Sequence, residues 1–461
     1  AKTKNICQIK NIATFLNSKF QRWRIDMKSL TNYKQLPPSP KGHFLVGSLP
    51  EYQRNPLGFM SDCAKNYGDV VYLSGLIPSY LLSHPDFIEE MLVKKQQYLI
   101  KSQLGSIIKP LLGNGLLLSE GEFWKKQRHL INPAFHHARI KAYSSVMVEY
   151  TQQMLATWKD GEIRDIHHSM MNLTLAIATK TLFGSQVDRD VDTIEQAIKV
   201  TLKHFDIRST NLLLFLLPDW IPTPDNLRFQ KAVKQLDTII YRLIQEHRES
   251  RQESDNLLSM LLNLQAEDGT RMSDKQVRDE VMTLILAGHE TTALALSWAW
   301  YLLAKHPEVE AKLIAELQAV LAGRTPNLSD LRQLRYTEWV VLETMRLYPP
   351  IWVIPRTVKS DCEIGGYHVK KGHGLVASQW IVHRDERWFS EPDIFNPSRW
   401  DNDLIKRLPS FAYFPFGGGS RICIGKSFAM MEACLVLANI SQNYIFTLVS
   451  IQPVNPWSSL S

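Results

Sequence analysis

The apolar segment at residues 281–304 constrains the fold more than any other part of the sequence. Its length and composition resemble those of a membrane-spanning helix. However, its middle contains His289, Glu290, Thr291 and Thr292, and a charged side chain at the centre of a bilayer is energetically costly. We therefore interpret the segment as a helix through the core of a large soluble domain. Its central polar residues then become candidates for a functional site.

The rest of the chain predicts one large and mostly helical unit. Helical periodicity and capping signals cover 85–98, 122–131, 140–158, 191–206, 225–248 and 274–304. Short strand patterns lie on both sides of this region, at 69–75, 79–83, 351–358, 363–369 and 374–380. We expect a mostly α (α+β) fold with a helical core and small β-sheets, rather than a series of domains.

The basic residues in excess lie before a Pro-rich linker at 36–40. Residues 1–35 hold eight Lys and Arg side chains against one Asp, a surplus equal to the net charge of +7 of the whole chain. Apolar residues recur in this head segment at helical spacing, so it is either an amphipathic helix on an anionic membrane surface or a helix packed on the domain. The domain expected over 36–461 is neutral overall, which disfavours nucleic acid as a partner.

The cysteines and the end of the chain add two expectations. The five cysteines form no CxxC pair, so neither a disulfide framework nor a zinc ribbon is indicated. Without a signal-peptide pattern, we expect a cytoplasmic protein, with peripheral membrane contact through residues 1–35 as an option. Residues 433–461 carry no charge, which is unusual for an exposed natural tail.

A glycine-rich loop around Cys423 carries the strongest chemical signal. Residues 416–425 read FGGGSRICIG, and a helical pattern follows at 426–437. Glycines permit close approach of the backbone, and a cysteine at the N-terminus of a helix is favoured as a thiolate. Phe416 can shield the sulfur from water, and Arg421 can pair with a carboxylate. A phosphate-binding loop is the alternative, but no Gly-Lys-Ser/Thr follows, so we interpret Cys423 as a metal-binding thiolate.

This loop fits the pattern F-x-x-G-x-R-x-C-x-G and resembles the haem-binding loop of the cytochromes P-450, the haem-thiolate monooxygenases. The resemblance extends from about Leu36 to about Leu448 and is to the soluble bacterial type, with motifs like those of fatty-acid hydroxylases. Because this family continues after that point into a terminal hairpin that contributes to the pocket, the resemblance also implies a shortened C-terminus. It implies a haem b cofactor (iron protoporphyrin IX) and insertion of one oxygen atom of O₂ into the substrate. It makes Cys423 the iron ligand and places around the haem Phe416, Gly419, Arg421 and Gly425.

Glu343 and Arg346 form an E-x-x-R pair on one face of a predicted helix. Alone, this spacing is usual for a solvated surface pair. With Arg399 in the sequence Asn-Pro-Ser-Arg, it resembles the Glu-Arg-Arg lock beneath the cysteine loop of this family. We expect a structural triad rather than catalytic residues, and loss of one partner from a buried triad costs about 3–5 kcal/mol.

Other motifs resemble the contacts that this family makes to the haem propionates. Trp124 and Arg128 form W-x-x-x-R, in which an indole and a guanidinium contact a propionate. Arg356, and His383 in Val-His-Arg-Asp, resemble further contacts on the propionate side. For each of them, an ordinary structural or surface role is the alternative.

The middle of the segment 281–304 reads AGHETT and resembles the helix that crosses the distal face of haem in this family. There the small residues Ala287 and Gly288 leave room for dioxygen, and a local opening of the helix admits water. The resemblance makes Glu290 and Thr291 the catalytic acid–alcohol pair, in which Thr291 holds oxygen and water while Glu290 relays protons. The alternative is an ordinary buried helix in which Thr291 bonds back to a carbonyl.

The resemblance also implies partners. Electrons are expected from a separate ferredoxin or flavodoxin-type donor that docks near Lys125, Lys126 and Arg128. The expected walls of the substrate pocket are Leu284, Ala287, Ile351, Val353 and Ile354, and 209–218 with 220–222 resemble its roof. These apolar residues imply an apolar small-molecule substrate such as a fatty acid or an isoprenoid.

Two other functions stay open on the sequence. A peroxide-using hydroxylase or hydroperoxide isomerase would share Cys423, and so would a non-catalytic haem-binding sensor or carrier. The pair Glu290 and Thr291 argues against both, because neither function needs a relay of protons to dioxygen.

Overall fold

The structure is a computed structural model that describes residues 36–450, apart from 44–45, 76, 103–106, 136, 185–189, 211–213, 215–220, 250–255, 265–268 and 270, together with residues 454 and 456. The predicted head segment 1–35 and much of the predicted pocket roof lie outside the described residues.

Helices form most of the described chain. In order they are α1 (Leu49–Arg54), α2 (Pro56–Tyr67), α3 (Pro85–Glu89), α4 (Lys109–Leu112), α5 (Gly121–Ile131), α6 (His137–Leu155), α7 (Ile166–Phe183), α8 (Val191–Thr210), α9 (Pro224–Glu249), α10 (Leu257–Asn263), α11 (Asp274–Lys305), α12 (Pro307–Leu321), α13 (Arg335–Leu347), α14 (Gln379–Val382), α15 (Leu404–Arg407) and α16 (Lys426–Ser441). Shorter 3₁₀ turns and one π turn, Glu90–Lys94, connect several of them.

Two small sheets accompany the helices. Their strands are β1 (Val70–Leu73), β2 (Ser79–Leu82), β3 (Leu99–Lys101), β4 (Ile354–Val358), β5 (Cys362–Ile364), β6 (Tyr367–Val369) and β7 (Gly374–Ala377). The larger sheet has the order β1-β2-β7-β4-β3, and β5 pairs with β6. All its neighbours are antiparallel except β2 and β7, and the β3–β4 register places Lys101 opposite Arg356. The predicted mostly α fold with small sheets is confirmed.

The segment that opened the sequence analysis forms α11, the long central helix. Ser273 and Gln276 form a capping box at its start, which satisfies two of the free backbone donors there. The helix α7 packs along it, and the Thr174 hydroxyl of α7 donates to the His289 carbonyl oxygen at 2.9 Å. Neighbours on several sides explain why the helix is apolar nearly all round. No helix in the described part of the chain has the length and apolarity that crossing a membrane requires.

Two apolar clusters share α11 between them. The C-terminal half of α11, residues 293–303, belongs to the first core cluster, where it packs with α13 and α16. The N-terminal half of α11, residues 277–286, belongs to the second core cluster, where it packs with α7, α8 and α9. Residues 287–292, which include the polar residues 289–292, therefore lie at the boundary between the two clusters.

Three local expectations from the sequence are wrong. The predicted strand at 363–369 is the hairpin β5–β6, because Gly365 and Gly366 both take positive φ (57° and 79°) and turn the chain. The predicted helix at 85–98 is α3 followed by the π turn and a 3₁₀ turn. The expected opening of α11 near Thr291 is also absent from this described helix, which continues through residues 287–292.

Candidate active site

The loop before α16 is held tightly by its own backbone. The Cys423 N–H donates to the Phe416 carbonyl oxygen at 3.0 Å, which closes the loop. Gly419 has φ 66°, and a Cβ there would lie 2.1 Å from the Leu92 carbonyl oxygen. Glycine is required because any side chain would both strain the backbone and displace the π turn. At Gly425, by contrast, a Cβ would lie 4.0 Å from the Cys423 sulfur, an ordinary contact.

Cys423 is accessible to solvent, although protein atoms surround its sulfur densely enough that burial raises the pKa of the thiol. The Gly425 N–H and the positive charges of Arg128 and Lys426 act in the opposite direction, and they are weaker. In the protein chain without a bound group, burial therefore outweighs the influences that favour the thiolate. A bound cation such as a metal ion would supply the missing stabilisation, since the thiolate is the metal-binding form.

The middle of α11 presents an open face. Ala287 is exposed although Leu286 and His289 near it on the helix are buried, and a Cβ on Gly288 would meet no atom within 4 Å. Glu290 is half-buried. The Thr291 hydroxyl donates to the Ala287 carbonyl oxygen at 2.8 Å, the back-bonded arrangement that was the alternative to a functional role.

The cysteine loop reaches the same boundary as the middle of α11. Phe416 packs against the first core cluster, whereas Ile424 packs against the second. Leu284 of α11 also packs against the second cluster. Cys423 and residues 287–292 thus both lie where the two clusters meet, with small residues on the helix and an accessible sulfur on the loop.

A group of basic side chains lies beside the cysteine loop, and its total positive charge exceeds the negative charge of the acid next to it. Burial, with repulsion from Arg356 and Arg421, lowers the pKa of Lys101 to about 7. Burial and Arg421 likewise lower the pKa of Arg356 to about 10. Burial lowers the pKa of Arg128, which is close enough to Cys423 to interact with its charge. The acid that acts on Lys101, Arg356 and Arg421 is Glu120.

Glu120 and Trp124 hold Arg421 in this group. The Glu120 carboxylate accepts a hydrogen bond from Arg421 at 2.6 Å and another from the Lys101 backbone N–H at 2.7 Å. The buried Trp124 ring lies 4.1 Å from the Arg421 guanidinium, a cation–π distance. Trp124 therefore supports Arg421, while the charge of its predicted partner Arg128 acts on Cys423.

These residues fit a haem group. A haem brings a metal ion for a thiolate, a flat apolar ring and two carboxylates. The structure offers an accessible cysteine, small residues at 287–288, and the cations Lys101, Arg356 and Arg128. An anionic group would offset the repulsion that acts on Lys101 and Arg356.

The structure brings Glu343, Arg346 and Arg399 together in a lock in which Glu343 and Arg346 are fully buried. The Glu343 carboxylate accepts from Arg346 at 2.9 Å and from Arg399 at 2.8 Å. The Trp400 indole and the Asn396 backbone N–H donate to the same carboxylate at 2.9 and 3.0 Å. Arg346 donates further to the carbonyl oxygens of His383, Pro392 and Ile394. The lock ties α13 to the chain that precedes the cysteine loop.

His383 requires a correction, because it belongs to the lock and not to the cations around Arg356. It is fully buried, its Nε2 accepts a hydrogen bond from the Phe414 N–H at 3.0 Å, and its carbonyl accepts from Arg346. Burial, helped by Arg346 and Arg384, lowers the pKa of His383 well below its usual value. A neutral imidazole that accepts a backbone bond is structural.

The expected pocket residues do not form one cluster. Leu284 packs against the second core cluster, Ile354 packs with the sheet, and Val353 packs with α2 and Trp352. Ile354 still comes close to the cysteine loop, since its Cδ1 lies 3.5 Å from where a Gly417 Cβ would be. Ile351 is half-buried between α13 and β4.

Sequence reasoning missed Lys101, Glu120 and Trp400. Glu120 stands four residues before Trp124, so its position beside the W-x-x-x-R motif was a usable signal. Trp400 follows Arg399 directly and offers a similar signal. Lys101 gave none, because its approach to Arg356 depends on the β3–β4 register.

Comparisons with known proteins agree with this geometry. A family model described as Cytochrome P450 matches residues 37–460. The chain is 36% identical to cyclooctatin synthase of Streptomyces melanosporofaciens over 92% of each chain. It is 34% identical to cyclooctat-9-en-7-ol 5-monooxygenase of the same organism, over 87% of each chain. It is 31% identical to pentalenene oxygenase of Streptomyces avermitilis, over 89% of this chain and 91% of the other.

Proposed function

The chain belongs to the cytochrome P450 family, and from this premise we propose that it is a haem b enzyme that hydroxylates a neutral terpenoid hydrocarbon. The family membership and the similar monooxygenases make it an oxidoreductase that inserts oxygen from O₂ into an apolar substrate and needs a redox partner. The proposal adds the cofactor type, the roles of the residues, the substrate class and the kind of electron donor.

One observation carries the assignment of the site. The accessible Cys423 and the small, open face of α11 lie at the same boundary between two core clusters. Cys423 is the proposed iron ligand, while Lys101, Arg356 and Arg128 hold the propionates. When bound, the haem supplies the oxidation chemistry, and a thiolate ligand favours cleavage of the O–O bond.

The proposed proton route uses Glu290 and Thr291. A threonine hydroxyl both donates and accepts, so Thr291 can donate to the Ala287 carbonyl, as it does at 2.8 Å, while its oxygen accepts from a water molecule. Glu290 precedes it on the same helix and is half-buried, so its carboxyl can hold a proton close to that water. Ala287 and Gly288 keep the space beside the hydroxyl clear.

Replacement of the hydroxyl tests this route. In Thr291→Ala we expect NAD(P)H consumption to continue while product per NAD(P)H falls and hydrogen peroxide rises, because protons no longer reach the oxygen in order. Thr291→Ser keeps the hydroxyl and is the matched control, so its coupling should stay near that of the wild type. Unchanged coupling in Thr291→Ala would remove Thr291 from the route.

A terpenoid substrate is supported by two findings. Two of the similar Streptomyces proteins carry the names of terpenoid-oxidising enzymes, cyclooctat-9-en-7-ol 5-monooxygenase and pentalenene oxygenase. The expected wall residues Leu284, Ala287, Val353 and Ile354 are uncharged, and a fatty acid would need a cation for its carboxylate. Titration of the purified holoenzyme should therefore give a low-to-high spin shift with cyclic terpenes at lower concentration than with fatty acids of equal carbon number. The reverse order would contradict the substrate class.

The electron donor is proposed to be an acidic ferredoxin or flavodoxin. Lys125 and Lys126 are exposed on α5, and Arg128 of the same helix interacts with Cys423. Positive charge close to the proposed iron ligand supports the binding of an acidic protein there. The basic head segment 1–35 is proposed to make peripheral contact with an anionic membrane surface.

A further inference from the structure

A cavity between α8 and α9 takes no part in the proposed function. It has a volume of about 550 Å³ and lies where the C-terminal half of α8 meets the first turn of α9. That volume lies in the range of small-molecule sites. None of the expected substrate-pocket residues Leu284, Ala287, Val353 and Ile354 lines it. The cavity is therefore a candidate for a second ligand.

Basic side chains outnumber acidic ones on the walls of this cavity. Lys203 and Arg208 of α8 and Arg228 of α9 line it, and among the described residues Asp225 is the one acid that does. Arg208 is only 6% exposed, whereas Lys203 and Arg228 are exposed. A guanidinium keeps its charge in a protein. The described walls therefore carry an excess of positive charge, and one of the charges is buried.

The acid on the cavity wall serves the contact between the two helices. Nδ1 of His204 donates to the Asp225 carboxylate at 2.5 Å. His204 is 1% exposed, and its ring stacks on Phe229 of α9 with 4.1 Å between the ring centroids. Asp225 is thus held by a histidine of α8 that does not line the cavity. An anion in the cavity would find the basic side chains as hydrogen-bond donors.

Apolar side chains form much of the remaining wall. Val200 and Ile207 line the cavity from α8, and Leu214 lines it from the chain that follows. An inorganic anion gains nothing from such a surface, whereas the hydrocarbon chain of an amphiphile would bury its methylene groups there. The cavity therefore combines donors for an anionic head group with a surface for an apolar chain.

We propose that this cavity binds a free single-chain amphiphile whose head group is a carboxylate or a phosphate. The head group contacts Arg208, Lys203 and Arg228, and the chain lies against the apolar wall. Leu214 belongs to the predicted roof of the substrate pocket, so the bound amphiphile touches the chain expected to cover the substrate. The binding itself does not rest on the proposed function.

Isothermal titration calorimetry of the holoenzyme tests the class of ligand. The probes are decanoate and decyl phosphate, and decan-1-ol is the uncharged compound of the same chain length. We expect the anions to bind with a Kd about tenfold below that of the alcohol, since the alcohol offers no charge to the basic side chains. The tighter of the two anions identifies the head group. Equal affinity for the alcohol would overturn an anion site.

Variants that remove charge test the position of the site. Arg208→Gln should raise the Kd of the anions about tenfold and leave that of the alcohol unchanged. If Arg208→Gln does not fold, the double variant Lys203→Gln and Arg228→Gln, at two exposed positions, should raise the Kd of the anions as well. Lys234→Gln is the matched control, because Lys234 is exposed on α9 but does not line the cavity. Anion affinity that survives the loss of these charges would overturn the proposal.

An inhibitor that ligates haem iron separates this cavity from the substrate pocket. With 4-phenylimidazole saturating, decanoate should bind with an unchanged Kd. Competition between the two compounds would place the anion in the substrate pocket and overturn a separate site. Unchanged coupling in Thr291→Ala would contradict the proposed proton route but would leave this calorimetric result intact, so the two failures are distinguishable.

Vesicles of phosphatidylglycerol distinguish a free amphiphile from a membrane surface. The double variant Lys203→Gln and Arg228→Gln should weaken the binding of free decanoate and leave vesicle binding unchanged, because the residues serve the cavity. Weaker vesicle binding with unchanged binding of decanoate would assign these charges to a membrane and overturn the proposal.

Discussion

At the residue scale, Glu343 is the common acceptor of the hydrogen bonds that hold the chain before the cysteine loop to α13. Its carboxylate accepts hydrogen bonds from both Arg346 and Arg399, from the Trp400 indole and from a backbone N–H. Glu343 and Arg346 are fully buried, and the Arg399 side chain is only 8% exposed. Two guanidinium groups in such surroundings depend on this one acid for their charge balance.

Glu343→Gln should therefore be strongly destabilising. The amide keeps the size of the side chain but leaves two buried cations without a negative partner, and we expect a loss of about 3–5 kcal/mol in the free energy of unfolding. Urea denaturation followed by circular dichroism measures it. Lys406→Ala removes an exposed ion pair with Asp403 and should have little effect. A loss below about 1 kcal/mol in Glu343→Gln, the range of exposed pairs, would contradict a charge-balancing role.

The lock shows what residue patterns predict and what they omit. The spacing of Glu343 and Arg346 placed both on one helix face, and family likeness added Arg399. The pattern could not assign His383, because a histidine that accepts a backbone bond in the lock and one that contacts a propionate look alike in sequence. Burial decides between them, and burial depends on tertiary packing.

At the element scale, the bounds of α11 could be predicted from the sequence, but the hydrogen bonding in its middle could not. The sequence predicted a helix over 274–304, and the structure has it over Asp274–Lys305. Capping residues at its start and apolar residues along it were sufficient signals. The unbroken hydrogen bonding at Thr291 was not predictable, because a threonine that bonds back and one that opens a helix have the same neighbours.

The buried His289 of α11 should make stability depend on acid. Burial lowers the pKa of His289 from 6.5 to about 4. The folded protein therefore resists a protonation that the unfolded chain accepts. The contribution of the neutral His289 to the free energy of unfolding is thus complete above pH 6.5 and is lost as pH falls from 6.5 towards 4. The loss is at most about 3 kcal/mol.

Unfolding free energies of the wild type and His289→Gln, measured across this range, test the dependence. The difference between the two proteins should shrink as pH falls, because glutamine does not titrate. His129→Gln, at an exposed position on α5, is the control and should follow the wild type. Parallel curves for the wild type and His289→Gln would show that His289 is not the titrating group.

At the scale of the whole molecule, the site lies where two core clusters meet. Chemistry-bearing motifs far apart in sequence, at 124–128, 287–292 and 416–425, were each recognisable from local patterns. Their juxtaposition was not, since it depends on how α11 is shared between the clusters and on the register that sets Lys101 beside Arg356. The resemblance to a known family predicted that the motifs come together. The position of Lys101 beside Arg356, and that of Glu120 beside Arg421, could be seen only in the fold.

The absorption spectrum of the reduced, CO-bound holoenzyme tests the central claim most directly. We predict the red-shifted Soret band of a thiolate-ligated haem in the wild type. Cys423→His should lose this band, whereas Cys434→Ala, at a buried cysteine of α16, should keep it. A histidine-type spectrum in the wild type, or a thiolate-type band that survives in Cys423→His, would contradict the assignment of Cys423 as the haem ligand.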